Sequence, residues 1–498
     1  MRRWTGTILG LILVLGSGVW SCSSDDSSAS SGAGGSNGHL FDSGAFSFPY
    51  DHDAGPTNSA PGTEIGSALI STGSIGSWDT QPHAFASTLY VRPPGQAYGT
   101  GDGSSWTNAL AGLPAAFQRD TRYYLASGEY YDGPFTDRYF HHEFEEPLNG
   151  EQYIGLFKAV ESDHGPGEGW DSSFAQGPAR LGPLAILSGY LIIDGQQGLG
   201  GKGEDFGIEI SSRDCANRRD SPLNFPWNST ATNVSLRHVN IQDCGHRTDP
   251  TNPSEDAIYT YTGGLTRFVL KSSFVHDAFR RLILIQLGKD ILLEGNTLAR
   301  AGLQHEAGTL SFRNSQDIAI RRNVLVDSYG TFIALQDISN VQLHGNVLRR
   351  TLQDWEVWAA IVLSGTFQGV TVYNNTFYNL AGLNVGVRAD DAPASSLLVA
   401  NNLWASCRAP QIMLNGTHSY NAFFDNYRDA TLLDDQIAED TKQVITADPF
   451  AAAASGDLRL SGPTEPGTTL AAPYDIDLAG QTRAADGVWD RGAYEYLK

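Results

Sequence analysis

Three things are scarce in this chain of 498 residues: cysteine, positive charge and long apolar runs. Only four cysteines are present, too few for a disulfide framework to organise a chain of this size. Lys and Arg total 33 against 55 Asp and Glu, a formal charge of -22. A nucleic-acid partner needs a basic footprint to neutralise phosphates, so this balance argues against one. The longest apolar run, Ile8 to Leu15, is too short to span a bilayer. Preceded by Met1-Arg2-Arg3, it reads as a secretory signal.

What is present in quantity is a repeat. Between Val234 and Cys407 the chain reuses one phrase: aliphatic, any, aliphatic, two of any type, usually Asn, any, large apolar. Ile291 through Leu298 and Ile318 through Leu325 are the clearest copies. Val341 through Leu348, Val370 through Phe377 and Leu397 through Trp404 follow, and Val234 through Ile241 and Phe268 through Val275 lead in. The Asn positions 296, 323, 346, 375 and 402 are separated by 27, 23, 29 and 27 residues. Periods in this range signal a solenoid. The alternation before each Asn places residues i and i+2 on one face, which is strand periodicity, not helical. One repeat is therefore one coil of a β-solenoid, with coils stacked as parallel strands about 4.8 Å apart.

The register predicts three inward columns. Val234, Phe268, Ile291, Ile318, Val341, Val370 and Leu397 form the first. Leu236, Leu270, Leu293, Ile320, Leu343, Val372 and Val399 form the second, and Ile241, Val275, Leu298, Leu325, Leu348, Phe377 and Trp404 the third. The Asn column is expected at a bend, in left-handed backbone, with stacked amides bonding coil to coil. With these residues the chain resembles the right-handed parallel β-helix proteins of the pectate-lyase-like fold, from about residue 183 to 424. The resemblance implies an all-β solenoid and an elongated polymer bound along a groove parallel to the stack. It leaves the function open.

Other segments resemble the outer parts of such proteins. Val19-Trp20-Ser21-Cys22 resembles a bacterial lipobox, implying lipidation at Cys22; the alternative is an ordinary signal peptide cut near Ser21. Residues 23–86 read as a Ser- and Gly-rich tether and wrapping segment. Residues 87–498 form the solenoid domain. Leu89 to Arg119 resembles an amino-terminal cap (87–130), in which Leu110 to Arg119 is expected to be a helix closing the open end. Asp448 to Phe450, Gly456 to Leu460 and Asp490 to Tyr496 resemble a carboxy-terminal cap (440–498). Residues 212–230, with Pro222 and Pro226, and residues 245–256 read as long lateral loops. Cys215 and Cys244 lie about one coil apart and are within disulfide reach if the register holds; free thiols are the alternative.

The groove face is expected to hold Tyr259 to Tyr261, Ile283 to Gln286, Thr309 to Arg313, Phe332 to Gln336 and Ala360 to Ser364. One set of charges is set aside first. Asp277, Arg300, Asp327 and Arg350 recur four residues after the Asn position and alternate in sign, as a salt-bridge ladder between coils would. The remaining titratable groups are His305 and Glu306 on a lengthened turn, with His276, Arg280 and Arg281 one coil earlier and Arg313 on the same coil. Asp256, Tyr259, Trp355, Glu356 and Trp358 are candidate substrate contacts on the same side. From Leu265 to Arg322 nine basic residues face five acidic ones, a reversal of the chain's overall balance.

That reversal suits an anionic polysaccharide. A uronic-acid lyase needs a cation on the substrate carboxylate and a base for the neighbouring proton, for which Arg280, Arg281 and Arg313 offer the charge and His305 the base. Glycoside hydrolysis would need two carboxylates, Glu306 with Glu356 or Asp256 with Glu306, and the paired aspartates of polygalacturonase-like members are missing. A non-catalytic surface protein that binds or displays is the third reading. No cofactor motif is present. Ca²⁺ is an ion that acidic turns are suited to hold, although no recognisable loop motif appears. The chain is expected to work as an exported monomer, lipid-anchored at the bacterial outer membrane or cell surface.

Overall fold

The computed structural model describes residues 75–79, 83–131, 141–196, 206–211, 221–229, 231–243, 256–260, 263–302, 307–351, 357–380, 387–389, 397–408, 416–428, 431–432 and 439–497. Cys22, Cys215 and Cys244 lie outside these residues, as does the proposed disulfide.

The described chain is a right-handed parallel β-helix. Each coil contributes three strands, seen in Leu265–Lys271, Phe274–Ala278 and Arg281–Gln286. Strands of the first kind stack into sheet 1, of the second into sheet 2 and of the third into sheet 3. Sheet 2 has twelve strands. Sheets 1 and 3 merge into one of nineteen, because Ala307–Arg321, Gly330–His344 and Val357–Tyr373 run through the bend between them.

The three expected columns are the observed register. Leu270 pairs with Leu293, Leu293 with Ile320 and Ile320 with Leu343. Val275 through Trp404 pair in the same way in sheet 2. These side chains are buried in one continuous core. The coils begin earlier and end later than the repeat suggested, from Ser87–Arg92 to Gln443–Ile445. Within the segment read as one lateral loop, Leu223–Phe225 is a sheet 3 strand.

The Asn ladder forms, with one change. Asn323 donates its amide N–H to the Leu293 carbonyl at 2.9 Å and to Asn346 Oδ1 at 3.1 Å, while its own Oδ1 accepts from the Asn296 backbone. The pattern continues through Asn375, Asn402 and Asn421, and the Glu439 carboxylate ends it. Left-handed backbone belongs to the residue before each Asn, at Gly295, Arg322, Gly345, Asn374 and Asn401. The Asn is there for its amide, which satisfies backbone groups that the bend would otherwise leave buried and bare.

The amino-terminal cap is not helical. Leu110–Ala111 pairs as a short strand with Val91–Arg92, and turns follow. Pro114 stands in the middle of the expected helix, where it lacks a donor and clashes with the preceding turn. Phe117 plugs the core end instead, packed on Tyr123, His142 and Phe144 at ring distances of 4.7–5.1 Å. Nearby, Lys158 is fully buried and donates to Ser127 Oγ at 3.1 Å and to the Phe174 carbonyl. Burial pushes its ammonium down to about 7 from an ordinary 10.5. Between those values the unfolded chain binds more protons, so this group makes the fold more stable as pH rises through that window. Relative to Lys158→Met, wild-type unfolding free energy should climb between pH 7 and 10 by up to about 1.4 kcal/mol per unit. Urea titrations of both proteins at several pH values measure it, and a pH-independent difference would remove the assignment.

The carboxy-terminal segment packs along the side of the stack. Phe450, Leu458 and Leu460 lie against Val347, Leu403, Ala405 and Ala422 on the outer side of sheet 2. Tyr474 and Trp489 lie against Tyr373, Leu398 and Ala400 on sheet 1.

Candidate functional site

Among the described residues, those same contacts cover sheets 1 and 2. Sheet 1 is covered by Ile75 and Trp78 over Val269, Leu292 and Ala319, and farther on by Tyr474 and Trp489. Sheet 2 is covered by Phe206 over Phe274 and Ala299, then by the carboxy-terminal pair of strands. Sheet 3 carries a cavity. It encloses about 210 Å³ and is lined by Arg281, Gly308, Leu310, Ser311, Arg313, Thr331, Ala334, Leu335, Gln336 and Ser364.

The register explains this lining. Ile283, Leu310, Ile333 and Ile361 point inward, so Leu284, Ser311, Ala334 and Val362 form an outward row. Gln286, Arg313, Gln336 and Ser364 form a second outward row, nearer the bend into sheet 1. The cavity crosses four successive rungs, roughly 14 Å along the stack. Its floor is small or aliphatic and one wall is a row of hydrogen-bonding side chains.

Arg281 and Arg313 are the charged groups of the lining. Burial lowers the Arg281 guanidinium from its ordinary value; Asp256 opposes that shift, while Arg280 and Arg313 add to it. The two groove arginines therefore sense each other. Asp256 holds the amino-ward end together. It is fully buried, accepts from Arg280 Nε at 3.0 Å and its terminal nitrogen at 2.7 Å, and also accepts the Arg281 backbone N–H at 3.1 Å. A carboxylate bound in this way supports the arginines and is not open to a substrate, contrary to its expected role as a contact. Tyr259 stands on sheet 3 beside Leu284 of the next rung.

His276 does not join this group. It points outward from sheet 2, buried, with Nδ1 2.6 Å from Asp277 and Nε2 2.9 Å from Asn240, stacked on Phe274 at 4.0 Å. The bend between sheets 2 and 3 separates it from Arg281, so closeness in sequence misplaced it. Asp277 in turn bonds Arg300, the expected rung-to-rung pair. Burial works to raise the Asp277 carboxyl, but its bonds to Arg300 and His276 outweigh that and hold it well below the usual range. Asp327, one rung on, also acts electrostatically on Arg300 and accepts from Thr351, and Arg350 donates to the Asn379 carbonyl.

The local surplus of basic residues is shared among the faces. Lys271, Arg321 and Arg322 gather on Glu294 at the edge of sheet 1, and Arg237 and Lys271 also meet Asp79. Arg300 is tied to Asp277. Arg280, Arg281 and Arg313 remain at sheet 3, with Asp256 as the counter-charge of Arg280 and Arg281. His305, Glu306, Trp355 and Glu356 lie outside the described residues. Trp358 belongs to the strand Val357–Tyr373, and its side chain is likewise outside them. Among the described residues, no three His, Cys, Asp or Glu side chains converge to hold a metal ion, and no helix is long and apolar enough to cross a membrane.

No family model matches this chain, and no curated protein does. Among solved structures it is similar to pectate lyase Pel9A, with a TM-score of 0.41 and 12% identity, covering 83% of this chain and 97% of that one. A family 28 exopolygalacturonase of Yersinia enterocolitica gives a TM-score of 0.33 at 12% identity, over 66% of this chain and 73% of that one. A surface adhesin of Streptococcus pneumoniae gives 0.28 at 10% identity, over 62% and 83%. Likeness this distant assigns no role to any residue of the groove.

Proposed function

We propose that this chain is an exported, lipid-anchored monomer that binds an extracellular anionic polysaccharide across sheet 3 and cleaves it by β-elimination. One observation carries the proposal: sheet 3 bears a groove whose charged lining is Arg281 and Arg313. A polymer laid across the rungs meets a guanidinium at one wall and hydrogen-bonding side chains along it. A guanidinium on a uronate carboxylate lowers the cost of the carbanion that forms beside it. His305 is the proposed base. The proton on the carbon next to the carboxylate goes to its imidazole, the electron pair forms a carbon–carbon double bond as the bond from the β-carbon to the glycosidic oxygen breaks, and the released oxygen takes a proton from water.

The hydrolytic alternative loses one of its two pairs, because the Asp256 carboxylate is buried and bound by Arg280. The deciding assay is digestion of a glycan panel followed by ultraviolet absorbance and by reducing ends. Unsaturated product from a uronate polymer is the expected result. Reducing ends without absorbance would make the protein a hydrolase, and retention of a glycan with neither signal would make it a binding protein.

A further inference from the structure

The outer side of sheet 3 continues past the cavity. Amino-ward of Leu284 the outward row runs through Tyr259, Asn224 and Ala185. Asn224 has a buried side-chain oxygen without a hydrogen-bond partner. At the bend into sheet 1, Trp227 follows the Leu223–Phe225 strand, and Leu287 follows Arg281–Gln286 two rungs later. Trp227 is 71% exposed and Leu287 49%. On the rung between them the described bend residues are Gly263 and Gly264, which have no side chains. A Cβ on Gly264 would sit 3.4 Å from the Leu287 carbonyl. Trp227 and Leu287 thus mark an open apolar ridge along the bend, beside the row Gln286, Arg313, Gln336 and Ser364 and two rungs, roughly 10 Å, apart.

We propose that Trp227, flanked by Leu287, is a distal subsite on which a pyranose ring of the bound polysaccharide stacks. The proposal rests on the reading of the groove given above. A sugar ring has an apolar C–H face for the indole and a rim of hydroxyls for polar neighbours, which matches a two-residue ridge beside a polar row. The arginine end of the same face draws a polyanion and so delivers this occupant to the ridge. From the rung of Trp227 to that of Arg313 is three steps, roughly 14 Å. One sugar cannot reach both, so the ridge acts only on longer chains.

The test is affinity electrophoresis of the full soluble chain in gels containing polygalacturonate, alginate or hyaluronan, followed by titration with size-fractionated oligomers of the retained glycan. Trp227→Ala should raise the Kd for long oligomers about tenfold while leaving the disaccharide Kd unchanged. Trp227→Phe should retain most of the affinity. The melting temperature should not move, because the side chain is exposed. If Trp227→Ala binds long oligomers as wild type does while Arg313→Ala is no longer retained, the subsite is wrong and the groove stands. If Arg313→Ala is retained like wild type, or no anionic glycan is retained, the groove reading falls and the subsite with it. A loss of self-association in Trp227→Ala, with glycan binding intact, would make the ridge a contact between copies and overturn the proposal.

Discussion

Leu293→Asp and Ile320→Asp, each alone, should leave the chain unable to fold. Both side chains are buried in the second inward column, paired with Leu270 and Leu343 on the neighbouring coils. Deleting a buried Leu to Ala already costs about 2–5 kcal/mol. An aspartate adds a charge in a column whose neighbours are aliphatic, with no cation facing it, at a further cost of several kcal/mol. A typical domain is stable by only about 5–15 kcal/mol, so either change consumes most of the margin. A solenoid offers no detour, because each coil is the template for the next. Far-ultraviolet spectra and soluble yield measure the effect. Gln316→Asp is the control: it lies on the same strand as Ile320, is exposed, and pairs in register with Lys289. Wild-type β spectra from both core variants would mean that the inward columns are wrong.

These columns were legible because a solenoid repeats its grammar. Seven coils state the same aliphatic pattern, and a one-residue slip would turn every side chain to the other face. The Asn ladder was legible for the same reason, although the left-handed residue beside it was not, since Gly, Arg and Asn all occupy that position. The amino-terminal cap occurs once, and a single apolar phrase with Pro114 inside it has no second copy to correct a helical reading. The strands of sheet 3 were legible, but how their side chains group was not. His276 and Arg281 are five residues apart, yet a bend turns them onto different sheets, and sequence distance does not report a bend. Asp256 looked available because nothing in a sequence shows that a carboxylate is already bound by two arginines. Trp227 was hidden by Pro222 and Pro226, which suggested a loop where the chain makes a strand and a bend.

Replacing Arg313 or His305 should produce the largest functional losses. Arg313 lines the groove, pairs in register with Gln286 and Gln336, and lies within electrostatic reach of Arg281. If it holds the substrate carboxylate as negative charge builds beside it, Arg313→Ala should lower kcat by about 10² to 10³ and weaken binding as well. Arg313→Lys should recover only part, because an ammonium cannot reproduce the paired geometry of a guanidinium on a carboxylate. His305→Ala should lower turnover by about 10² to 10⁴ with the fold intact. As a base, His305 must be neutral, so wild-type activity should rise with pH as the imidazole loses its proton, and that rise should vanish in the variant. His276→Ala serves as the internal control. Its ring is buried on sheet 2 between Asp277 and Asn240, so losing it should lower the melting temperature while leaving the pH profile of activity unchanged. Initial rates of unsaturated-product release over a pH series distinguish these outcomes. Full activity in both His305→Ala and Glu306→Gln would refute the assignment and direct attention to Trp355 and Glu356, since both carboxylate oxygens of Asp256 are already bonded.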